Sequence, residues 1–150
     1  MANVNPETYK TCIDTHALAK PGVVKEKKPD WGAVLYKVGG KYFILLPYDA
    51  AKDGEDTATV SSYAQYDEAR DNYIAVKHDP LKGEILRQNY TGITEAYYHN
   101  KKLWSAIALD GTVPEAVMQE MIDDSYDLVF AKLTKKLQNE ILSQHDQSNH

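Results

Sequence analysis

The N-terminal segment has the periodicity of an amphipathic helix. Tyr9, Ile13 and Ala17 recur at intervals of four residues, so they would lie on one stripe of a helix. A Pro-Gly pair follows at 21–22, and this combination ends helices. We therefore predict a helix over about residues 6–20, with its apolar stripe facing a core.

The clearest β signal is a pair of apolar runs separated by two glycines. The runs "AVLYKV" and "KYFILL" are rich in β-branched and aromatic residues and flank Gly39-Gly40. Because both glycines tolerate positive φ, the pattern predicts a β-hairpin with a tight turn. Both faces of the hairpin carry apolar residues, which indicates helices packed on the sheet. A shorter run, "VVKEKK", predicts a preceding strand that ends at Pro29.

A long acidic stretch interrupts the strands in the middle of the chain. Residues 49–71 carry seven acidic and two basic side chains and show no clear apolar period. We call this segment the acidic excursion and expect a short hairpin of its own over about 57–63. The run "YIAVKH" that follows predicts the next strand.

An Asp-Pro pair after that strand predicts the start of a second helix, "PLKGEILRQNY". Leu81, Ile85 and Leu86 are its apolar residues, and we expect them to face inward. Gly83 weakens this helix by about 1 kcal/mol relative to alanine.

The last third of the chain predicts two strands and a long helix. The strands are "GITEAYY" and "LWSAIAL", joined by "HNKK". Thr112 and Glu115 have the spacing of a capping box, with a proline in the first turn, so the long helix is expected over about 113–132. One face of it carries Val117, Met118, Met121, Ile122, Ser125 and Val129.

The C-terminal residues predict a short last helix and a polar tail. Thr134 is positioned to cap a helix that includes Leu137 and Ile141. The tail from 143 to 150 is polar and is expected to be frayed.

These elements occur in the order α-β-β-β-β-α-β-β-α. Strands joined by hairpins imply a mostly antiparallel six-stranded sheet, with three main helices packed on it, and the class α+β. A chain of 150 residues without a repeat or a linker is expected to be one domain, 1–150.

Composition and charge narrow the setting. No apolar run approaches the roughly 20 residues that a membrane-spanning helix needs, and the N-terminus lacks the pattern of a secretory signal. The single cysteine, Cys12, excludes an internal disulfide and is expected to be a packing residue. We therefore expect a cytoplasmic protein. The net charge is −5, and the acidic excursion alone accounts for it, so the remaining chain is neutral overall.

The sequence offers no catalytic or cofactor motif. The five histidines lack metal-ligand spacing, and neither a nucleophile motif nor a phosphate loop is present. Asp123 and Asp124 are adjacent, so on a helix they point about 100° apart and would not serve one site; a solvated helix face is expected. His99 lies near Glu95, and a surface histidine is the preferred interpretation. We expect a non-catalytic protein with no metal and no cofactor.

Several segments together resemble the MmcQ/YjbR family of small bacterial proteins. They are "VGGKYFILLPYD", "VKHDP" and "YTGITEAYYHNKKLWSAIALDGTVPEAVMQEMIDDSYDLVFAKLTKK". The likeness spans about residues 18–138, and its second half is the more specific. The acidic excursion is longer than the compact turn of typical members. Leu103 and Ser105 replace the histidine and asparagine that flank the family's tryptophan.

The resemblance implies a compact α+β domain with a topology similar to frataxin, and a DNA-binding protein with a proposed double-wing surface. The residues that would form such a surface are a basic turn with neighbouring aromatic rings and the basic end of the long helix: His99, Asn100, Lys101, Lys102, Trp104, Lys132, Lys135 and Lys136. Weak, salt-sensitive DNA binding is the leading functional hypothesis.

Two alternatives remain open at this stage. "HNKK" is also typical of a plain turn with solvated lysines, and lysines at a helix C-terminus complement its dipole. The tyrosine-rich acidic excursion could instead bind a protein partner, because exposed tyrosines are common at protein interfaces. The sequence does not indicate the oligomeric state.

Overall fold

The computed structural model describes residues 6–49, 67, 71–96 and 99–148 of the chain, with side chains described from residue 8 to residue 145 of these. The helices and strands follow the order α-β-β-β-β-α-β-β-α-α, which confirms the predicted α+β class. The elements are α1 (Pro6–Leu18), β1 (Val24–Lys28), β2 (Ala33–Val38), β3 (Lys41–Pro47), β4 (Tyr73–Lys77), α2 (Pro80–Asn89), β5 (Ile93–Glu95), β6 (Trp104–Ala108), α3 (Glu115–Ala131) and α4 (Lys135–Ser148).

The six strands form one sheet in the order β1-β2-β3-β4-β6-β5, and every neighbouring pair is antiparallel. The predicted hairpin joins β2 to β3. Gly39 and Gly40 have φ of 59° and 83°, a region that residues with a Cβ rarely adopt. A Cβ on Gly39 would also lie 2.6 Å from Leu133 Cδ1, so the turn packs directly against the segment that follows α3.

Helix α3 packs on β3 and β4 and supplies a polar contact inside the core. Ser125 is fully buried, and its hydroxyl donates to the carbonyl oxygen of Phe43 at 2.6 Å. Ser125 Oγ also accepts from the backbone N–H of Lys77 at 2.8 Å. The β3–β4 ladder pairs Ile44 with Val76 and ends there, so Ser125 bridges the next two backbone groups. The hydroxyl therefore replaces a strand–strand hydrogen bond.

The orientation predicted for helix α2 is wrong for two of its three apolar residues. Leu81 and Ile85 are 67% and 47% exposed, whereas Leu86 packs against the core. The buried residue is Gly83, where a Cβ would lie only 2.0 Å from His78 Cε1. The helix approaches the sheet through its glycine because the His78 ring lies directly beneath it.

The ends of the last two helices differ from the sequence expectations. Thr112 does not cap α3: its hydroxyl and its N–H both donate to Asp110 Oδ1, at 2.6 and 3.0 Å. The N-cap of α3 is Pro114, which has no side-chain hydrogen bond to offer. Thr134 caps α4 as predicted, accepting from Leu137 N–H at 3.2 Å.

Helix α4 is longer than the predicted short helix. It continues to Ser148 and includes most of the tail that was expected to fray, so in the described part of the chain it is a full fourth helix beside the three main ones. Ile141 is the buried residue that holds α4 against the protein, because it packs on Gly22, whose added Cβ would meet it at 2.7 Å.

Asp123 and Asp124 lie in two different ion pairs. Asp123 accepts from Lys20 and from His16 Nε2, the latter at 2.7 Å, whereas Asp124 accepts from Lys82. Burial alone would raise the pKa of Asp123, but the hydrogen bonds from Lys20 and His16 outweigh it and the pKa is lowered. The two carboxylates do not share a site, as predicted. Both side chains remain partly exposed, as a solvated face implies, and each also pairs α3 with a neighbouring part of the chain.

Within the described ranges, no helix has both the length and the apolar character that crossing a bilayer requires. The hairpin expected over 57–63 lies outside the described residues, as does most of the acidic excursion. Asp71, at the end of that segment, is buried and accepts from the N–H of Asp67 at 2.9 Å.

Candidate functional site

Four rings form a cluster at one end of the sheet. Tyr42 of β3 and Trp104 of β6 have centroids 5.4 Å apart, and His99 lies over Trp104 at 4.6 Å. Trp31, in the turn before β2, meets the edge of Tyr42 at 6.3 Å. The rings come from separate parts of the chain, and they meet because the strand order brings β3 and β6 to either side of β4.

Burial favours the neutral forms of the two titratable groups in this cluster. Burial raises the pKa of the Tyr42 hydroxyl and lowers the pKa of the His99 imidazole. The two groups are joined by a hydrogen bond of 2.9 Å, in which the Tyr42 hydroxyl donates when His99 Nε2 carries no proton. His99 is thus half-buried and packed on Trp104, which corrects the expectation of a surface histidine.

A cleft opens beside these rings, with a volume of about 510 Å³. Among the described residues that line it, five are lysines and one is an acid, so its lining is strongly basic although the whole chain is acidic. The lining residues are Glu26, Lys28, Trp31, Leu35, Lys37, Gly40, Lys41, Tyr42, Lys77, Trp104, Val129 and Lys132.

Two of the five lysines are engaged within the cleft wall. Lys37 Nζ lies 3.4 Å from Glu26 Oε1, an ion pair across β1 and β2. Lys28 Nζ lies 5.0 Å from the centroid of Trp31, a cation–π contact. These contacts hold the wall that β1 and the following turn contribute.

The other three lysines lie close to one another. Lys77 is half-buried, and its pKa is lowered first by burial and then by the neighbouring ammonium groups of Lys132 and Lys41. Within the described part of the chain, no carboxylate lies within ion-pair distance of any of the three. We call Lys41, Lys77 and Lys132 the lysine trio. Lys77 is half-buried, whereas Lys41 and Lys132 are exposed, and like charges brought close together in this way favour binding of an anion.

Some residues proposed from the sequence belong to this site and others do not. Trp104 and Lys132 line the cleft, and His99 packs against Trp104. The described lining residues do not include Asn100, Lys101, Lys102, Lys135 or Lys136. The two lysine pairs are exposed, one on the turn before β6 and the other at the start of α4.

The "HNKK" segment has the geometry of a turn. Asn100 Oδ1 accepts from the N–H of Lys102 at 3.0 Å, and the Asn100 carbonyl accepts from Leu103 and Trp104 at 3.0 and 2.9 Å. Its asparagine therefore closes the turn that delivers Trp104 to the cleft. This is the structural role of the segment that motivated the wing hypothesis.

The sequence analysis did not identify Lys28, Trp31, Lys37, Lys41, Tyr42 or Lys77 as site residues. Two signals were present: lysines flank the Gly-Gly turn on both sides, and a lysine ends the "YIAVK" run. Neither signal indicates a common site without the strand order, which places Lys77 opposite Trp104 in the β4–β6 register.

A second polar cluster lies buried under α2. His78 Nε2 and Ser105 Oγ are 2.7 Å apart, and Arg87 Nη1 donates to the same oxygen at 2.8 Å. His78 Nδ1 donates to the Asp79 carbonyl at 2.8 Å, so Nε2 is free to accept from the serine hydroxyl. Ser105 is fully buried and His78 is 3% exposed, and the hydrogen bond from Arg87 fastens α2 to this buried pair. Among the described residues, no group of three or more histidine, cysteine or acidic side chains is arranged to hold a metal ion.

The fold and the site together define a small α+β protein with a basic, aromatic cleft at one end of an antiparallel sheet. The model of the YjbR family matches residues 18–128, and the chain therefore belongs to the YjbR family.

Relatives and solved structures agree with this assignment. The chain is 28% identical to the uncharacterized protein YjbR of Escherichia coli K12 over 111 residues, which cover 74% of this chain and 78% of that protein. It is 33% identical to the uncharacterized protein YbdF of Escherichia coli O157:H7 over 69 residues, 46% of this chain and 57% of that one.

Protein DR2400 of Deinococcus radiodurans, a DUF419 domain, has a similar fold, with a TM-score of 0.70, 26% identity and coverage of 91% and 90% of the two chains. A Pseudomonas syringae protein shares the fold with a TM-score of 0.54 and 23% identity, over 84% of this chain and 99% of that one.

Proposed function

We propose that this protein binds nucleic acid, and specifically single-stranded DNA, in the cleft beside Trp104. The observation that carries the proposal is the composition of the cleft, in which ammonium groups and aromatic rings line one cavity. Proteins that bind single strands use this combination, stacking bases on rings and neutralising phosphates with lysines. The proposal is of a binding protein and includes no catalytic step.

The cleft favours a single strand over a duplex. Its rings lie at the sheet end and offer stacking only to a base whose face is free, and bases in a duplex are stacked on each other. Trp31, at 47% exposure, is the most accessible of the four rings. The lysine trio lies on the same cleft and would contact the backbone of a strand whose base occupies the ring cluster.

The net charge of −5 limits the affinity for DNA but does not prevent binding in the cleft. Charges farther away than the Debye length, about 8 Å at physiological salt, are largely screened. If about three phosphates are neutralised, affinity should fall about 20-fold between 50 and 200 mM salt.

Fluorescence anisotropy with a labelled single-stranded oligonucleotide tests the proposal. The Lys77→Gln/Lys132→Gln variant removes two charges from the cleft and should abolish most of the binding. The Lys135→Gln/Lys136→Gln variant removes the same charge from outside the cleft and should bind nearly as the wild type does.

A Lys101→Gln/Lys102→Gln variant separates the cleft from the turn. Binding that depends on Lys101 and Lys102 but not on the trio would assign the surface to the turn and refute the cleft. Absence of binding at 50 mM salt would refute nucleic-acid binding altogether and direct the search to a protein partner of the acidic excursion.

A further inference from the structure

The lysine trio is a convergent cluster rather than a track. Its members come from the start of β3, the end of β4 and the residue after α3, and they meet at the same part of the cleft. All three line the same cleft, and the ammonium groups of Lys41 and Lys132 both lie near enough to Lys77 to lower its pKa. A groove that follows a nucleic-acid backbone would distribute its charges along the path instead.

The trio is held in place by the sheet. The N–H of Lys77 is fixed by Ser125 Oγ at 2.8 Å, and β4 is paired with β6 through the register that includes Lys77 and Trp104. Lys41 pairs with Val38 in the hairpin. The side chains of Lys41 and Lys77 therefore start from paired strand backbone, which fixes where each one enters the cleft.

A phosphate monoester matches such a cluster better than a phosphodiester does. A monoester carries about −1.5 to −2 charges at pH 7 and three acceptor oxygens. A diester within a strand carries one charge and has two free oxygens. The three ammonium groups have no carboxylate partner in the described chain, so they can donate hydrogen bonds to all three oxygens of a monoester.

The aromatic cluster lies next to the trio in the same cleft. Trp104 is the direct partner of Lys77 across β4 and β6, and Tyr42 follows Lys41 in β3. A volume of about 510 Å³ falls in the range of small-ligand sites, about 300–1,000 Å³. The cleft can thus hold a terminal nucleotide, with its phosphate at the trio and its base at the rings.

We infer that the cleft recognises the phosphorylated end of a nucleic-acid strand, a terminal nucleotide that carries a phosphate monoester. This inference rests on the proposed function and adds to it which part of the strand is bound. The monoester can be at a 5′ or a 3′ end, since both offer the same charged group beside one base.

The test is a competition assay with an internally labelled single-stranded probe. The competitors are one oligonucleotide sequence in three forms: with a 5′-phosphate, with a 3′-phosphate and with hydroxyls at both ends. One of the phosphorylated forms should compete about tenfold or more better than the unphosphorylated form, the ratio expected for an additional charged hydrogen bond. Which form does so identifies the end.

Two double variants show whether the trio causes the preference. In Lys77→Gln/Lys132→Gln the phosphorylated and unphosphorylated forms should compete equally, whereas Lys135→Gln/Lys136→Gln should keep the preference. Thermal melting supplies a readout that does not depend on DNA. Inorganic phosphate should raise the Tm of the wild type and leave that of Lys77→Gln/Lys132→Gln unchanged.

The possible failures are distinguishable. Equal competition by all three forms against wild-type protein would overturn the inference and leave the proposed function in place. Absence of any binding by the probe would overturn both. A terminal-phosphate preference that survives in Lys77→Gln/Lys132→Gln would also overturn the inference, because the phosphate would then lie elsewhere.

Discussion

Replacing Ser125 with alanine should destabilise the protein strongly, because its hydroxyl satisfies two backbone groups inside the core. The Phe43 carbonyl and the Lys77 N–H, at 2.6 and 2.8 Å from Ser125 Oγ, would both lose their partner. The two backbone groups could hydrogen-bond to each other only if the strands moved together and closed the space that the hydroxyl occupies. Ser125 is fully buried, so water cannot reach these two backbone groups and take the place of the lost hydroxyl.

The magnitude follows from the cost of unpaired polar groups. Each buried backbone group left without a partner costs about 1–3 kcal/mol, which gives about 2–6 kcal/mol for the pair. A domain of this kind has about 5–15 kcal/mol of stability in total, so Ser125→Ala would remove a substantial part of it. The loss should be far larger than the loss of one surface hydroxyl.

Urea unfolding followed by far-UV circular dichroism measures the effect. With an m-value of about 2 kcal/mol per molar urea, the midpoint should fall by roughly 1–3 M while the slope stays the same. Ser143→Ala is the matched control, since Ser143 is exposed on α4 and its change should stay within about 0.5 kcal/mol. A loss below about 1 kcal/mol for Ser125→Ala would refute the claim that the hydroxyl carries both hydrogen bonds.

Two further predictions concern the contact between α2 and the sheet. Gly83→Ala should destabilise the protein by about 1–3 kcal/mol in the same urea assay, although alanine favours helices, because the new Cβ would overlap the His78 ring; an unchanged or raised midpoint would contradict this packing. Stability should also fall as the pH drops below 6.5, because burial lowers the pKa of His78 and the unfolded chain therefore takes up a proton that the native protein does not. Urea midpoints measured from pH 7.5 to 5 should show a weaker decline in His78→Gln than in the wild type, and an equal decline would exclude His78 as the cause.

Much of the fold could be predicted because its signals are local. The Gly39-Gly40 turn, the apolar runs on either side and the stripe of Tyr9, Ile13 and Ala17 each specify one element without reference to the rest of the chain. The face of α2 could not be predicted in this way. The apolar residues of this ten-residue helix would face the core only if the space between the helix and the sheet were empty. The His78 ring occupies that space.

The cleft could not be predicted from single segments of the sequence, because it depends on the order of the strands in the sheet. Trp104 and Lys132 could be proposed as site residues because each stands out in its own segment. Lys41 and Lys77 are ordinary strand-end lysines in the sequence, and they become neighbours only when β4 is inserted between β3 and β6. Lys101 and Lys102 were predicted as site residues because they are adjacent in a turn. Adjacency in a turn does not indicate that two side chains line the same cavity.

The contact between Gly39 and Leu133 links the width of the cleft to apolar packing. Gly39 is two residues from Lys41, and Leu133 follows Lys132 directly, so this contact sets how far the hairpin stands from the end of α3. A smaller or larger side chain at 133 would draw the two lysines together or push them apart with every charge unchanged. In the proposed site, selectivity for anion size would therefore depend on Leu133, which is not among the described residues that line the cleft.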